Sequence, residues 1–297
     1  MAKRSHSQNT VGPWAAKKLD ALGAYLGYYT TRLKNQKQWQ KIYIDAFAGP
    51  GVSQLRVTED STQGVSLFNF DADEVEETES YLKGSPQIAL EIDNAFDHYV
   101  FIERDSVRAA SLRSLVHDNQ ADRSISILEG DAATELSRVA QRIKKSKHRA
   151  VAFIDPYGLN ISWAAIQQLA KTGAAEIVLN FAWSMAINRL LVKSGEIPPN
   201  WVEMLDTYFG DHDWYDLAYE ITDGFFGQDI KKAEHAEKEI LRYYLRKLET
   251  CFGFVGPPML IRNTRGNPLY YLIWAGPNKA GLEGAEHILS QGEVIQI

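Results

Sequence analysis

Four acids in this sequence stand where a carboxylate could serve binding chemistry: Asp45, Glu103, Asp131 and Asp155 each follow a run of β-forming residues. Asp45 lies in the stretch from Lys41 to Ser53, KIYIDAFAGPGVS. There Ile42, Tyr43 and Ile44 lead into Asp45, Ala46 and Phe47, and the chain breaks at Gly49, Pro50 and Gly51. This pattern predicts a buried strand ending in a tight, side-chain-poor loop. In open α/β sheets ligands bind beyond the carboxyl ends of the strands, so bare backbone at this loop suits a cofactor. Glu103 ends His98-Tyr99-Val100-Phe101-Ile102. A carboxylate there can accept hydrogen bonds from both hydroxyls of a ribose, or it can cap the next helix together with Asp105. Asp131 follows Ile125-Ser126-Ile127-Leu128 and is placed to cap a helix. Asp155 opens the turn Asp155-Pro156-Tyr157-Gly158 after the uniformly apolar run from Ala150 to Ile154, the mark of a central strand covered on both faces.

The spacing of the loop narrows the cofactor. A dinucleotide fingerprint needs a third glycine three residues past the second, and a helix whose N-terminus faces the pyrophosphate. Gln54 stands at that place and no helical periodicity follows, which argues against a nicotinamide-dependent oxidoreductase. The first persuasive helix start is Gly84-Ser85-Pro86, with Ser85 as N-cap and Pro86 at the first helical position. A cofactor without phosphate has no need of that dipole, and S-adenosylmethionine is such a cofactor.

The elements that must position these residues are legible in the hydrophobic pattern. From Trp14 to Leu33, Leu19, Leu22, Tyr25, Leu26 and Tyr29 recur at three and four residue steps, an amphipathic helix before the first strand. It lies in a basic segment, 12–40 and its flanks: Lys3, Arg4, Lys17, Lys18, Arg32, Lys34, Lys37 and Lys41 face one acid, Asp20. That face is either solvated or turned to a polyanion. Residues 54–83 read as an insertion with the acidic run Asp71, Asp73, Glu74, Glu76, Glu77 and Glu79. Further helices are expected over Pro86–Ile92, Ser106–Val116, Thr134–Ile143, Ser162–Ala170, Asp229–Cys251 and Gly281–Leu289, with a fifth strand from Glu176 to Phe181. Met259–Arg262 and Pro268–Trp274 form an expected hairpin. The stretch 182–227 is rich in aromatics, which belong to core or lid packing or supply a stacking platform for a planar substrate.

At 297 residues, 45% hydrophobic and 24% charged, the chain has an ordinary globular composition, read as a single domain over 1–297. The net charge of -6 argues against coating nucleic acid through bulk charge, although a local basic patch stays open. The single cysteine, Cys251, excludes a disulfide framework or a cysteine metal site within the chain and fits a reducing, cytoplasmic setting. The seven histidines are scattered without ligand spacing, so no metal is expected. No apolar run reaches membrane length.

Together the helix before the first strand, YIDAFAGPG, GSPQIAL, FIERD, EGDA, FIDPYG and PLYYLIWAG resemble the three-Cys-motif partner protein family, TcmP, over nearly the whole chain. The D-x-F-x-G-x-G loop also resembles the first motif of Rossmann-like methyltransferases. The resemblance implies an α/β Rossmann-like methyltransferase fold: a central, mostly parallel seven-stranded sheet with a C-terminal antiparallel hairpin, helices on both faces and an aromatic-rich helical insertion. It implies a bacterial or phage protein encoded beside a cysteine-motif partner protein. On this likeness Asp45, Phe47, Gly49, Gly51, Glu103 and Asp131 bind S-adenosylmethionine, Asp131 through the adenine. Asp155, Pro156 and Tyr157 resemble the acid-proline-aromatic turn of amino-group methyltransferases, with one proline where those have two. The expected activity is methyl transfer to an acceptor still open, a nucleic-acid base amine being favoured. The alternative is a binding module with the same fold, inactive without its partner.

Overall fold

A computed structural model of the chain describes residues 10–11, 14–55, 81–119, 123–224, 227–263 and 265–295. Its framework is one large sheet. The strands are β1 Gln40–Asp45, β2 His98–Glu103, β3 Ile125–Glu129, β4 His148–Ile154, β5 Ala175–Phe181, β6 Met259–Arg262 and β7 Pro268–Gly276. Their spatial order is β3-β2-β1-β4-β5-β7-β6. The first five are parallel; β7 runs antiparallel to β5, and β6 antiparallel to β7. This is the expected α/β, Rossmann-like methyltransferase sheet. Two short strands, Phe254–Val255 on β7 and Glu293–Val294 on β6, bring the total to nine among the described residues.

Strand composition explains why helices cover both faces. In β1, Ile42 and Ile44 point to one side and Tyr43 to the other, and all are buried, so neither face can be left to water. The Ile42 side packs against α4 Ala132–Arg142, α5 Trp163–Lys171, α6 Pro199–Phe209 and α7 Ala236–Phe252. The Tyr43 side packs against α1 Trp14–Leu33, α2 Ser85–Leu90, α3 Ser106–Asn119 and α8 Lys279–Leu289. On the latter, Tyr43, Phe96, Tyr99 and Phe101 pack edge-on or tilted with centroids 5.7 to 6.5 Å apart.

Two stretches depart from the expectation, and a third lies outside the described residues. Residues 229–232 were expected to open the long helix, but they belong to the strand Gly227–Lys232, paired antiparallel with Tyr219–Gly224. The cross-strand pair of Ile221 with Ile230 outweighs the charge pattern that continues into α7, whose first helical residue is Ala236. After the glycine loop, Val52–Leu55 is a strand, paired with Tyr81–Lys83 and Thr10–Val11 where an irregular course was expected. Finally, the acidic run from Asp71 to Glu79 lies outside the described residues, as do Phe225 and Phe226 of the aromatic-rich stretch. Trp183, Tyr208, Phe209, Trp214 and Tyr219 of that stretch are buried and fill the core against α7, Tyr208 stacking on Tyr244 at 5.4 Å.

Candidate functional site

The strand order reverses at β1, whose neighbours are β2 and β4, and the carboxyl ends of these three strands surround the point where ligands bind in open α/β sheets. Glycine shapes the loop after β1. Gly49 and Gly51 have φ of 63° and 84°, the left-handed region that side chains resist. A Cβ on Gly51 would lie 2.5 Å from Leu115 Cδ2, and one on Gly84 would lie 2.6 Å from the Gly51 carbonyl oxygen. That oxygen accepts the Gly84 amide at 3.0 Å, so loop and α2 meet backbone to backbone.

Asp45 lies under this loop, with none of its surface exposed. Its Oδ1 accepts the Phe47 amide at 3.2 Å and its Oδ2 the Tyr43 hydroxyl at 3.1 Å. Burial pushes the carboxyl up to about 6, with the bonds from Ser85, Phe47 and Tyr43 opposing it. Asp45 therefore shapes the loop from below. Ser85 is expected as N-cap of α2; Gly84 takes that place, and Ser85 is buried where it favours the charged form of Asp45. Phe47 is half-buried against the core on the Ile42 side.

Glu103 is 5% exposed. Its Oε2 accepts the Gly49 amide at 3.0 Å, which ties the glycine loop to the tip of β2. Its Oε1 accepts the Asp105 amide at 2.8 Å and pairs with Arg108 Nη2 at 3.1 Å. The Glu103 carbonyl accepts the Gly130 amide at 3.1 Å, which links it to the turn bearing Asp131. Asp131 is exposed and caps α4, its Oδ1 accepting from the Thr134 amide and hydroxyl, each at 3.0 Å.

Asp155, at the tip of β4, is held from two sides. Lys18 of α1 pairs with Oδ2, and Asn180 of β5 donates its Nδ2 to Oδ1 at 2.6 Å. Pro156 is buried, whereas Tyr157 is 52% exposed, with the Arg108 guanidinium 5.7 Å from its ring centroid. The structure thus gathers the glycine loop, Glu103 and Tyr157 at one edge and leaves Asp45 beneath it.

No protein-family model and no curated protein matches the chain. Solved structures resemble it at low identity. A Legionella pneumophila protein, LPL1258, is 17% identical with a TM-score of 0.41, over 91% of this chain and 98% of that one. Spermidine synthase from Thermotoga maritima is 8% identical with a TM-score of 0.38, over 84% of this chain and 56% of that one. TYW2 of M. jannaschii, solved with AdoMet, is 9% identical with a TM-score of 0.31, over 82% and 73%. All three scores fall below 0.5, and the fold rests on the strand order itself.

Sequence reasoning missed Lys18, Asn180 and Arg108. Asn180 carried a faint signal, a polar residue near the end of an apolar strand. Lys18 carried none: it was counted with the basic face of α1, but it is buried, paired with Asp155 and 5.2 Å from the Tyr270 ring centroid. Lys18→Met is expected to lower stability by roughly 1.5 to 3 kcal/mol, the range for a hydrogen bond to a charged group. Lys17→Met, at an exposed position of the same helix, should stay within about 0.5 kcal/mol. Urea unfolding of both variants checks this, and equal effects would remove the distinction.

A separate surface cleft of about 560 Å³ lies between α5 and α7 and is lined by none of the site residues described above. Its own Lys247 pairs there with Asp211 and lies 4.8 and 5.1 Å from the ring centroids of Trp163 and Tyr243. The cation that such aromatic walls could hold is supplied by the chain.

Proposed function

We propose that the chain is an S-adenosylmethionine-dependent methyltransferase. The observation that carries this reading is the bond from the Gly49 amide to the buried Glu103 carboxylate. It supports the reading because it ties a side-chain-poor loop to a buried acid, a group able to accept from a ribose diol, at the point where the strand order reverses. Glu103 would receive the ribose, Gly49 and Gly51 would offer backbone to the methionyl end, and Asp131 would lie toward the adenine. Asp45 and Phe47 would support that loop. When bound, the cofactor supplies a methyl group activated by a sulfonium centre. The chain's own task is then alignment: Asp155, Pro156 and Tyr157 would orient an acceptor toward that methyl, and orientation accounts for much of the rate of such displacements. A nucleic-acid base amine fits an acid beside an exposed aromatic ring.

One observation favours the alternative, a cofactor-binding module that needs a partner protein for activity. Both oxygens of Asp155 are engaged within the chain, by Lys18 and Asn180, so an acceptor amine would have to compete for them. The resemblance to TcmP supports a cysteine-motif protein as that partner.

Calorimetric titration with S-adenosylmethionine, and with its demethylated product, tests the cofactor reading. Saturable binding is expected, weakened in Glu103→Ala by roughly 1.5 to 3 kcal/mol. A folded chain that binds neither compound would exclude the reading for the isolated protein.

A further inference from the structure

The side chain that closes the edge of the proposed cofactor site is Arg108, which neither the sequence motifs nor the proposed chemistry uses. β2 and β4 flank β1, so their tips stand about 10 Å apart, two strand spacings. Arg108 spans that gap: its Nη2 lies 3.1 Å from Glu103 Oε1, and its guanidinium lies 5.7 Å from the ring centroid of Tyr157. The position is unfavourable for α3. Arg108 is the third residue of that helix, where the helix dipole disfavours a cation, and its own amide donates at 2.9 Å to Asp105 Oδ1. The two contacts at the strand tips offset that cost.

Counting the acceptor positions on Glu103 gives this bridge a consequence. A carboxylate offers about four lone-pair positions. The Gly49 amide fills one on Oε2, while the Asp105 amide and Arg108 fill two on Oε1. A ribose diol brings two hydroxyl donors and finds one position open. The two amides belong to the loop and to the start of α3, and neither can withdraw without unfolding its turn. Arg108 is joined through a flexible side chain that is 30% exposed, so it is the partner able to leave.

We propose that Arg108 holds the ribose position on Glu103 and must leave it when cofactor binds, which couples occupancy of the cofactor half of the site to the contact on Tyr157. This rests on the cofactor reading given above. Arg108 is then a positioning residue that weakens cofactor affinity, and its release rearranges the cover of Tyr157 before an acceptor docks. Cofactor would bind first and acceptor second.

The test is calorimetric titration of S-adenosylhomocysteine, a probe without net charge, into the full chain and into Arg108→Met. The expected result is about tenfold tighter binding by Arg108→Met, the gain from no longer breaking a charge-assisted hydrogen bond. Binding to the unaltered chain should tighten as salt rises, because salt weakens the Arg108 to Glu103 pair, and this dependence should vanish in Arg108→Met. The salt series needs no variant and serves if Arg108→Met does not fold. Equal or weaker binding by a folded Arg108→Met, or affinity of the unaltered chain indifferent to salt, would overturn the role while leaving the cofactor reading intact. Absence of binding by both proteins would overturn the cofactor reading and this role with it.

Discussion

Glu176→Gln is expected to remove about 3 kcal/mol of the loss in stability that the protein suffers between pH 4.5 and 7. Glu176 is the second residue of β5, at the end of the sheet opposite the proposed site, and it is buried. Burial pushes its carboxyl up to about 7, although bonds from Tyr25, Asn278 and Trp274 oppose the shift. Tyr25 of α1 donates to Glu176 Oε2, and the Trp274 indole donates to the Tyr25 hydroxyl at 2.6 Å. In the unfolded chain a glutamate titrates near 4.5. Between the two values the folded state holds a proton that the unfolded state has lost, so stability falls as pH rises through that window. Its contribution is complete below about 4.5 and gone above about 7. The rise from 4.5 to about 7 corresponds to about 3 kcal/mol. Asp45, raised to about 6 from 3.8, acts in the same direction and remains in the variant. Urea unfolding at pH 5 and pH 8 separates the two: the unaltered protein should lose more stability than Glu176→Gln. Parallel pH profiles would show that Glu176 does not hold the proton.

Gly51→Val should destabilise the protein by roughly 2 to 5 kcal/mol and weaken the proposed binding of cofactor, with Glu103 itself unaltered. Two costs add. The backbone at φ 84° is a left-handed conformation, which costs a non-glycine residue roughly 1 to 2 kcal/mol. The new Cβ would meet Leu115 Cδ2 at 2.5 Å and Leu112 Cδ1 at 3.1 Å. Leu112 is fully buried, and overpacking of this kind typically costs about 1 to 3 kcal/mol. The contact is relieved by a shift of the half-buried Leu115 side chain or of the loop, and a shift of the loop carries with it the Gly49 amide bonded to Glu103. Gly27→Ala provides the control. A Cβ there meets nothing within 4 Å, and the position lies in α1, so a gain of about 0.5 to 1 kcal/mol is expected. Denaturant unfolding gives the stabilities and titration gives the binding. A Gly51→Val protein as stable as the parent would mean that the loop has room the packing denies.

The amino-acid sequence by itself determined the order and kind of the main elements. The five parallel strands, the terminal hairpin and the helices between them follow from local pattern, because a strand covered on both faces must be apolar along its length. The same reasoning put Asp45, Glu103, Asp131 and Asp155 at strand ends, and parallel strands then brought those ends to one edge. Periodicity failed where local signals conflicted: the strand Gly227–Lys232 carries charges continuous with those of α7, and its pairing with Tyr219–Gly224 decided its state. Only the tertiary structure decided what each acid does. Lys18 reaches Asp155 across 137 positions, Tyr25 reaches Glu176 across 151, and Arg108 bridges the tips of strands separated by β1. No spacing in the chain encodes such partners. They meet because helices packed on the sheet carry distant side chains to its two ends, where a carboxylate taken out of water must find a donor or give up its charge.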